Sequence, residues 1–319
     1  MKEKLKLHQP LGEKISLDSI GMITEEDKNQ YKLEPADSEL FATYHAVYSN
    51  EEFDLCFAWD EQLAELRSCK NCYFLYRNGL CIGGLTISSD SISNPFLIQP
   101  FSDRVLFWTI ILKQLKMHIQ ESNIHINQLR QVDADVLISL GACKKWSEQR
   151  MYRPTDILET ETGFSYDLVC PTENDIPEIV QLVYQAHVHD ITASTYGEPV
   201  VSDVEKAILR RFDSFSQTNT LHFGRVAKEK ETQKSVGVCI AGIYPASPDN
   251  FSTIHQVSVL PAYRRQGIAE NMMRTVISTA HSISPVIGLG VLVGNPAENL
   301  YQKLGFTPRP SFTYLSMHL

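Results

Sequence analysis

The chain has 319 residues, 43% of them hydrophobic, and a formal net charge of −9. At about 150 residues per domain this length predicts two domains, and the apolar content is enough for two cores. The acidic balance argues against nucleic acid or an anionic membrane as the main partner, because both need a basic face.

Met1 to Pro10 lack the apolar centre of a signal peptide. The longest apolar run, residues 105–112, is broken by Thr109 and too short to span a bilayer. Seven cysteines, an odd count without framework spacing, predict reduced thiols in a cytoplasmic protein. Cys69 and Cys72 form a lone C-x-x-C with neither a second pair nor nearby histidines, and read as incidental.

In chain order, residues 54–66 read as helical, and residues 73–87 as a hairpin turning at Asn78-Gly79. A strand at 96–100 and a helix at 105–119 follow. The polar, acidic stretch 155–163 predicts the boundary between domains at 1–158 and 159–319. Beyond it come a strand at 164–170 and a cap at 171–175. The helix after that cap carries Ile176, Ile179, Val180 and Val183 on one face. His187-Val188-His189-Asp190 then reads as a loop, with Tyr196 and Glu198 nearby. A second helix, 201–212, turns Val204, Ile208 and Leu209 inward and Arg210-Arg211 to solvent. Residues 221–227 and 235–243 form a hairpin with Cys239 in its core, and 253–259 is a strand.

After that strand comes Pro261-Ala-Tyr-Arg-Arg-Gln-Gly-Ile-Ala269, a basic turn that opens a helix at Gly267. Amides at a helix start lack intrahelical partners, and the helix dipole adds positive potential there. Flanked by Arg264 and Arg265, such a turn suits a phosphate or pyrophosphate. Gly267 lets the backbone approach the anion, and small Ala269 keeps the first helical turn clear. Ile268, Met272, Met273, Val276, Ile277 and Ala280 then recur on one helical face. Residues 286–293 make a buried strand, Asn295 and Pro296 start another helix, and 312–319 is the last strand. Gly288, Gly290 and Gly294 miss the dinucleotide fingerprint by one residue, with too little chain left for another βαβ unit.

Arg264-x-x-Gly267-x-Ala269 after a Val257-x-Val259 strand resembles the coenzyme A turn of the GNAT superfamily of N-acetyltransferases. Asn295-Pro-Ala-Glu-Asn-Leu-Tyr301-Gln-Lys-Leu-Gly-Phe306 is similar to the second family block, with Asn295 one residue closer to Ala297 than is usual. The resemblance implies an α/β (α+β, mixed-sheet) fold in two tandem GNAT-like domains. It also implies transfer of an acetyl group from acetyl-CoA to a small-molecule or peptide amine, by direct attack in a ternary complex. Val257 and Val259 would meet the pantetheine arm. The amides of Arg265, Gln266, Gly267, Ile268 and Ala269 would hold the pyrophosphate, with Asn295 a further contact. Tyr301 would act as general acid and His255 as general base. The family needs no metal, so the three clustered residues His187, His189 and Asp190 read as acceptor-pocket lining.

The first half reads as a degenerate copy. Pro100 to Gly141 is 41 residues and Pro261 to Gly305 is 44. Its turn, Phe101-Ser-Asp103-Arg104, has a carboxylate and no glycine, and Leu137 stands in the place of Tyr301. That domain would be structural or a lid. Two rival readings are a non-catalytic acyl-CoA-binding or sensing protein, and a transferase of longer acyl chains.

Overall fold

The computed structural model describes residues 30–49, 64, 66–118, 123–160, 163–245 and 251–319. Most of the helix expected at 54–66 lies outside these. The described residues fall into two units: those up to Trp146 together with Phe312–Leu319, and Ser147–Ser311. The division among the described residues therefore differs from a single cut at 158: it falls at Ser147, and Phe312–Leu319 join the first unit.

The first unit holds β1 (Tyr31–Pro35), α1 (Ser38–Tyr48), β2 (Cys72–Arg77), β3 (Leu80–Ile87), β4 (Ser91–Leu97), α2 (Arg104–His118), β5 (Asn123–Arg130) and α3 (Gln131–Ser139). Its strands pair in the order β1-β2-β3-β4-β5-β12, the last being the C-terminal strand β12 (Thr307–His318). Asn78 and Gly79 both take positive φ (50° and 80°), the geometry a two-residue hairpin turn needs. β4 and β5 run parallel, and the register pairs only Ser91 with His125 and Ile92 with Ile126. Trp108, Ile111 and Leu115 of α2 pack on Ile124, Ile126 and Leu129 of β5 and on Leu315 and Met317 of β12. Thr313, Leu315 and Met317 are buried at the two-residue period that puts one strand face inward.

The second unit takes β6 (Cys143–Pro154) from Ser147 onward, then β7 (Tyr166–Val169), α4 (Ile176–His187), α5 (Ile191–Tyr196) and α6 (Val201–Gln217). It continues with β8 (Arg225–Glu229), β9 (Ser235–Ile243), β10 (Ser252–Val259), α7 (Ile268–Ala280), β11 (Val286–Leu292) and α8 (Ala297–Lys303). Its strand order is β6-β11-β10-β9-β8-β7, with β10 and β11 parallel and β6 antiparallel to β11. Each unit is thus α/β with a mixed sheet.

A capping box between Thr172 and Asp175 closes the tight turn Glu173–Asp175 that leads into α4. Asp175 accepts from the Thr172 amide at 2.9 Å and its hydroxyl at 2.6 Å, and pairs with Lys228 at 2.8 Å. β9 is buried along its whole length because both faces are covered. Val238 and Ile240 meet Ile179, Val183, Ile208 and Phe212 of α4 and α6, whereas Cys239 and Ala241 meet Met272, Met273 and Val276 of α7. Burial pushes the Cys239 thiol up to about 12.

Three expectations need correction. Leu209 is 46% exposed, because α6 packs through Ile208, Phe212 and Phe215 and its phase turns Leu209 outward. The expected loop after His187 contains the short helix α5, capped by Asp190, whose carboxylate accepts from the Thr192 and Ala193 amides at 2.7 and 3.0 Å. Residues Leu221–Phe223 form one tight helical turn rather than the start of a strand.

Candidate active site

β10 and β11 are held side by side at Ser252–Ile287, Thr253–Gly288 and Ile254–Leu289, and no register pair joins them beyond that point. His255 is the extra residue of a β-bulge in β10, where the register against β9 shifts between Ile254 and Gln256. A bulge adds local twist and unpairs backbone, which accounts for the strands parting there. A cavity of about 1150 Å³ occupies this region.

At one end the cavity meets the basic turn. Arg264 is extended, while Arg265 and Gly267 adopt positive φ of 65° and 75°. Asn271 is the first residue of α7 whose amide bonds to Gly267 O, at 2.9 Å. The preceding residues Arg265, Gly267, Ile268, Ala269 and Glu270 line the cavity. The helix start therefore brings unpaired amides and its dipole to this wall. Glu270 would oppose an anion here, but it pairs with Lys303 at 2.6 Å and Arg274 at 2.9 Å. Those bonds, Lys303's foremost, hold its carboxyl below the usual range against the effect of burial.

The cavity also gathers Val257, Val259, Asn295, Tyr301 and His255. Gln266 is not in the lining; its side chain accepts from Tyr166 Oη at 2.5 Å. The Arg264 guanidinium donates to Val259 O at 3.2 Å and Ala186 O at 2.7 Å, so it ties the end of β10 to the last turn of α4. A cation there complements that helix's C-terminal carbonyls. Asn295 Oδ1 accepts from the Ala297 amide at 2.9 Å and so caps α8. Tyr301 projects from α8, is 9% exposed and lies near Phe306 (ring centroids 6.3 Å apart). Burial, with a smaller contribution from Cys239, raises its hydroxyl to about 12, so it keeps its proton at neutral pH.

His255 sits against Phe215 and Tyr244 with centroids 5.9 and 4.7 Å away. Burial, then the nearby Arg211 and Arg150, push its imidazole down to about 3. An imidazole that acidic when protonated is a poor acceptor of an amine's proton. A second histidine in the cavity is differently placed. His187 Nδ1 lies 2.8 Å from Asp190 Oδ2, while Nε2 lies 3.0 Å from Ser258 Oγ and 2.8 Å from Gln256 Nε2. The carboxylate fixes the proton on Nδ1, and the Nε2 lone pair accepts from the Gln256 side-chain amide.

Sequence reasoning overlooked several lining residues. Arg211, read as solvated, lines the cavity and bonds to Tyr244. Gly290 and Gly288 leave room for cross-strand side chains of β6: a Cβ at Gly290 would meet Arg150 Nη1 at 2.6 Å, and one at Gly288 would meet the Tyr152 ring at 2.7 Å. The missing side chains at these two glycines were a signal, although their partners lie well over a hundred residues earlier.

Parted parallel strands ending on an amide-rich helix start define the cavity of this α/β unit. Residues 222–308 match the family model of the acetyltransferase (GNAT) domain, so the chain carries a GNAT domain over that stretch. The fold is similar to that of a GCN5-related N-acetyltransferase from Sphaerobacter thermophilus, at 14% identity and TM-score 0.63 over 90% of this chain and 95% of that one. It is similar to a GNAT-family acetyltransferase from Colwellia psychrerythraea (13%, TM-score 0.56, 91% and 100% covered). A tandem GNAT protein from the clavulanic acid biosynthesis pathway is also similar (11%, TM-score 0.53, 90% and 98% covered). No curated protein matches the sequence significantly. Among the described residues no helix is long and apolar enough to cross a membrane.

Proposed function

We propose that the second unit transfers the acetyl group of acetyl-CoA to a primary amine, which attacks the thioester directly in a ternary complex. The observation that carries this reading is the parting of β10 and β11 into a cavity that ends on the amides around Gly267. The pantetheine arm would lie along Val257 and Val259, with the pyrophosphate on the turn. The amine nitrogen bonds to the thioester carbon, backbone N–H groups of β10 stabilise the oxyanion, and the C–S bond then breaks. Tyr301 faces the departing sulfur. Its hydroxyl at about 12 is a weaker acid than a thiol, ordinarily near 8.5. It would therefore hold the thiolate by a hydrogen bond rather than give up its proton fully. His187, oriented by Asp190, replaces His255 in this reading as the base that accepts the amine's proton.

The first unit supplies the scaffold in this proposal. Asp103 Oδ1 caps the start of α2 by accepting from the Leu106 amide at 2.9 Å, where a phosphate would otherwise bind. Leu137 is fully buried in that unit's core.

Calorimetry with acetyl-CoA, followed by thiol release over a broad amine panel, tests the reading. Binding with amine-dependent release supports it. Tight binding with no release across the panel would indicate a sensing protein, and absence of binding would end the proposal.

A further inference from the structure

The face of the second unit's sheet toward α4 and α6 carries polar groups that acetyl transfer alone leaves unused. Arg150 lies across Gly290, within 2.6 Å of where a Cβ would stand. Arg211 reaches in from α6 and bonds to Tyr244. Thr253 is 3% exposed, and its Oγ1 is buried without a hydrogen-bond partner. His255 Nε2 is likewise buried and unpartnered. All four residues line the cavity where β10 and β11 part.

These groups share one chemical character. A guanidinium only donates, a threonine hydroxyl can donate, and a neutral imidazole carries one N–H. Both arginines act on His255, so their positive charge converges on its imidazole, which stays neutral. Each carboxylate that lines the same cavity holds at least one group outside this set. Glu148 accepts from Tyr196 Oη, Asp190 holds His187, and Glu270 holds Arg274 and Lys303. A buried polar atom without a partner costs stability, and an entering ligand that supplies acceptors recovers that cost. The planar guanidinium fork matches a carboxylate in particular.

We infer that Arg150, Arg211, Thr253 and His255 form a carboxylate subsite, so that the acceptor is an amine bearing a carboxylate, an amino acid or a close analogue. The amine end of such a molecule lies toward the parted strands, within reach of the His187–Asp190 pair in the same cavity. This inference rests on the amine-acetylation reading for its meaning, but the binding it predicts needs no coenzyme.

Calorimetry of the full chain without coenzyme, using the common amino acids beside their carboxylate-free amines (phenylalanine with phenethylamine, γ-aminobutyrate with butylamine), is the test. At least one amino acid is expected to bind about tenfold or more tightly than its carboxylate-free partner. Arg211→Gln and Arg150→Gln should each remove that preference and leave acetyl-CoA affinity unchanged, which also shows that the variant is folded. Should one variant fail to fold, the other decides alone. Equal binding of both partners throughout the panel, no binding by any amino acid, or a preference surviving the substitutions would overturn the subsite. Acetyl-CoA failing to bind while the preference persists would instead strike the transferase reading and leave the subsite standing.

Discussion

Tyr301 shows how little room a side chain has between packing and chemistry. It packs with Leu304 and Phe306 in the apolar core under α7, yet it lines the cavity beside the strands that part. Removing only its oxygen separates the two roles. In Tyr301→Phe the ring and its contacts remain, so acetyl-CoA affinity and melting temperature should hold. Turnover should fall about a hundredfold if the hydroxyl steadies the departing sulfur. Unchanged turnover by steady-state kinetics would leave Tyr301 a core residue. The same scale explains why His187 was harder to see than Tyr301. Tyr301 sits among Asn295, Leu300 and Phe306 in one short block, whereas His187 meets Ser258 only after the chain has folded across 71 residues. Arg211 was hidden by its charge: beside Arg210 it reads as solvated, although it stands three residues after Ile208 and seven after Val204, on their side of the helix.

The elements of the second unit were legible wherever one segment carries its own period. β9 runs over Ser235–Ile243, the bounds its apolar content alone suggests, and the buried face of α7 is the one its three- and four-residue spacing predicts. β6 was not legible. Of Cys-Lys-Lys-Trp-Ser-Glu-Gln-Arg-Met-Tyr-Arg-Pro only Ser147 and Met151 are buried, because its other face presents Glu148 and Arg150 to a polar cavity. The turn before α7 is the element whose geometry most directly meets a ligand. Gly267 caps that helix at φ 75°, a left-handed conformation that costs a residue with a Cβ about 1–2 kcal/mol. Gly267→Ala should therefore either pay that cost or rotate the peptide, and rotation moves the amides that face the cavity. Affinity for acetyl-CoA by calorimetry is expected to drop about tenfold, with turnover at saturating coenzyme little changed. Unaltered affinity would mean that the phosphates are held elsewhere.

For the molecule as a whole, the two halves of the sequence repeat the order strand, helix, strand, helix, and in each the two strands pair in parallel over only two or three residues. The copies differ in what fills the equivalent helix starts. In the first, Asp133 binds Arg104 at 2.7 and 2.8 Å and Trp108 Nε1 at 3.0 Å, beside the start that Asp103 caps. In the second, the equivalent start borders open space. The sequence could not reveal which unit the last strand joins, since Thr313, Leu315 and Met317 alternate inward whichever partner they meet. The structure gives that strand to the first unit, where Phe312 to His318 pair with β5 and Leu315, 1% exposed, sits in the core with Trp108 and Ile126. Leu315→Ala should thus cost about 2–5 kcal/mol from a position four residues before the chain's end. The loss should fall on residues that lie far away in sequence. Hydrogen exchange read by mass spectrometry is expected to show lost protection in Ile124 to Leu129 and in α2, while β8 and β9 keep theirs. Were β8 and β9 to lose protection while β5 kept it, the last strand would belong with the half of the chain that encodes it.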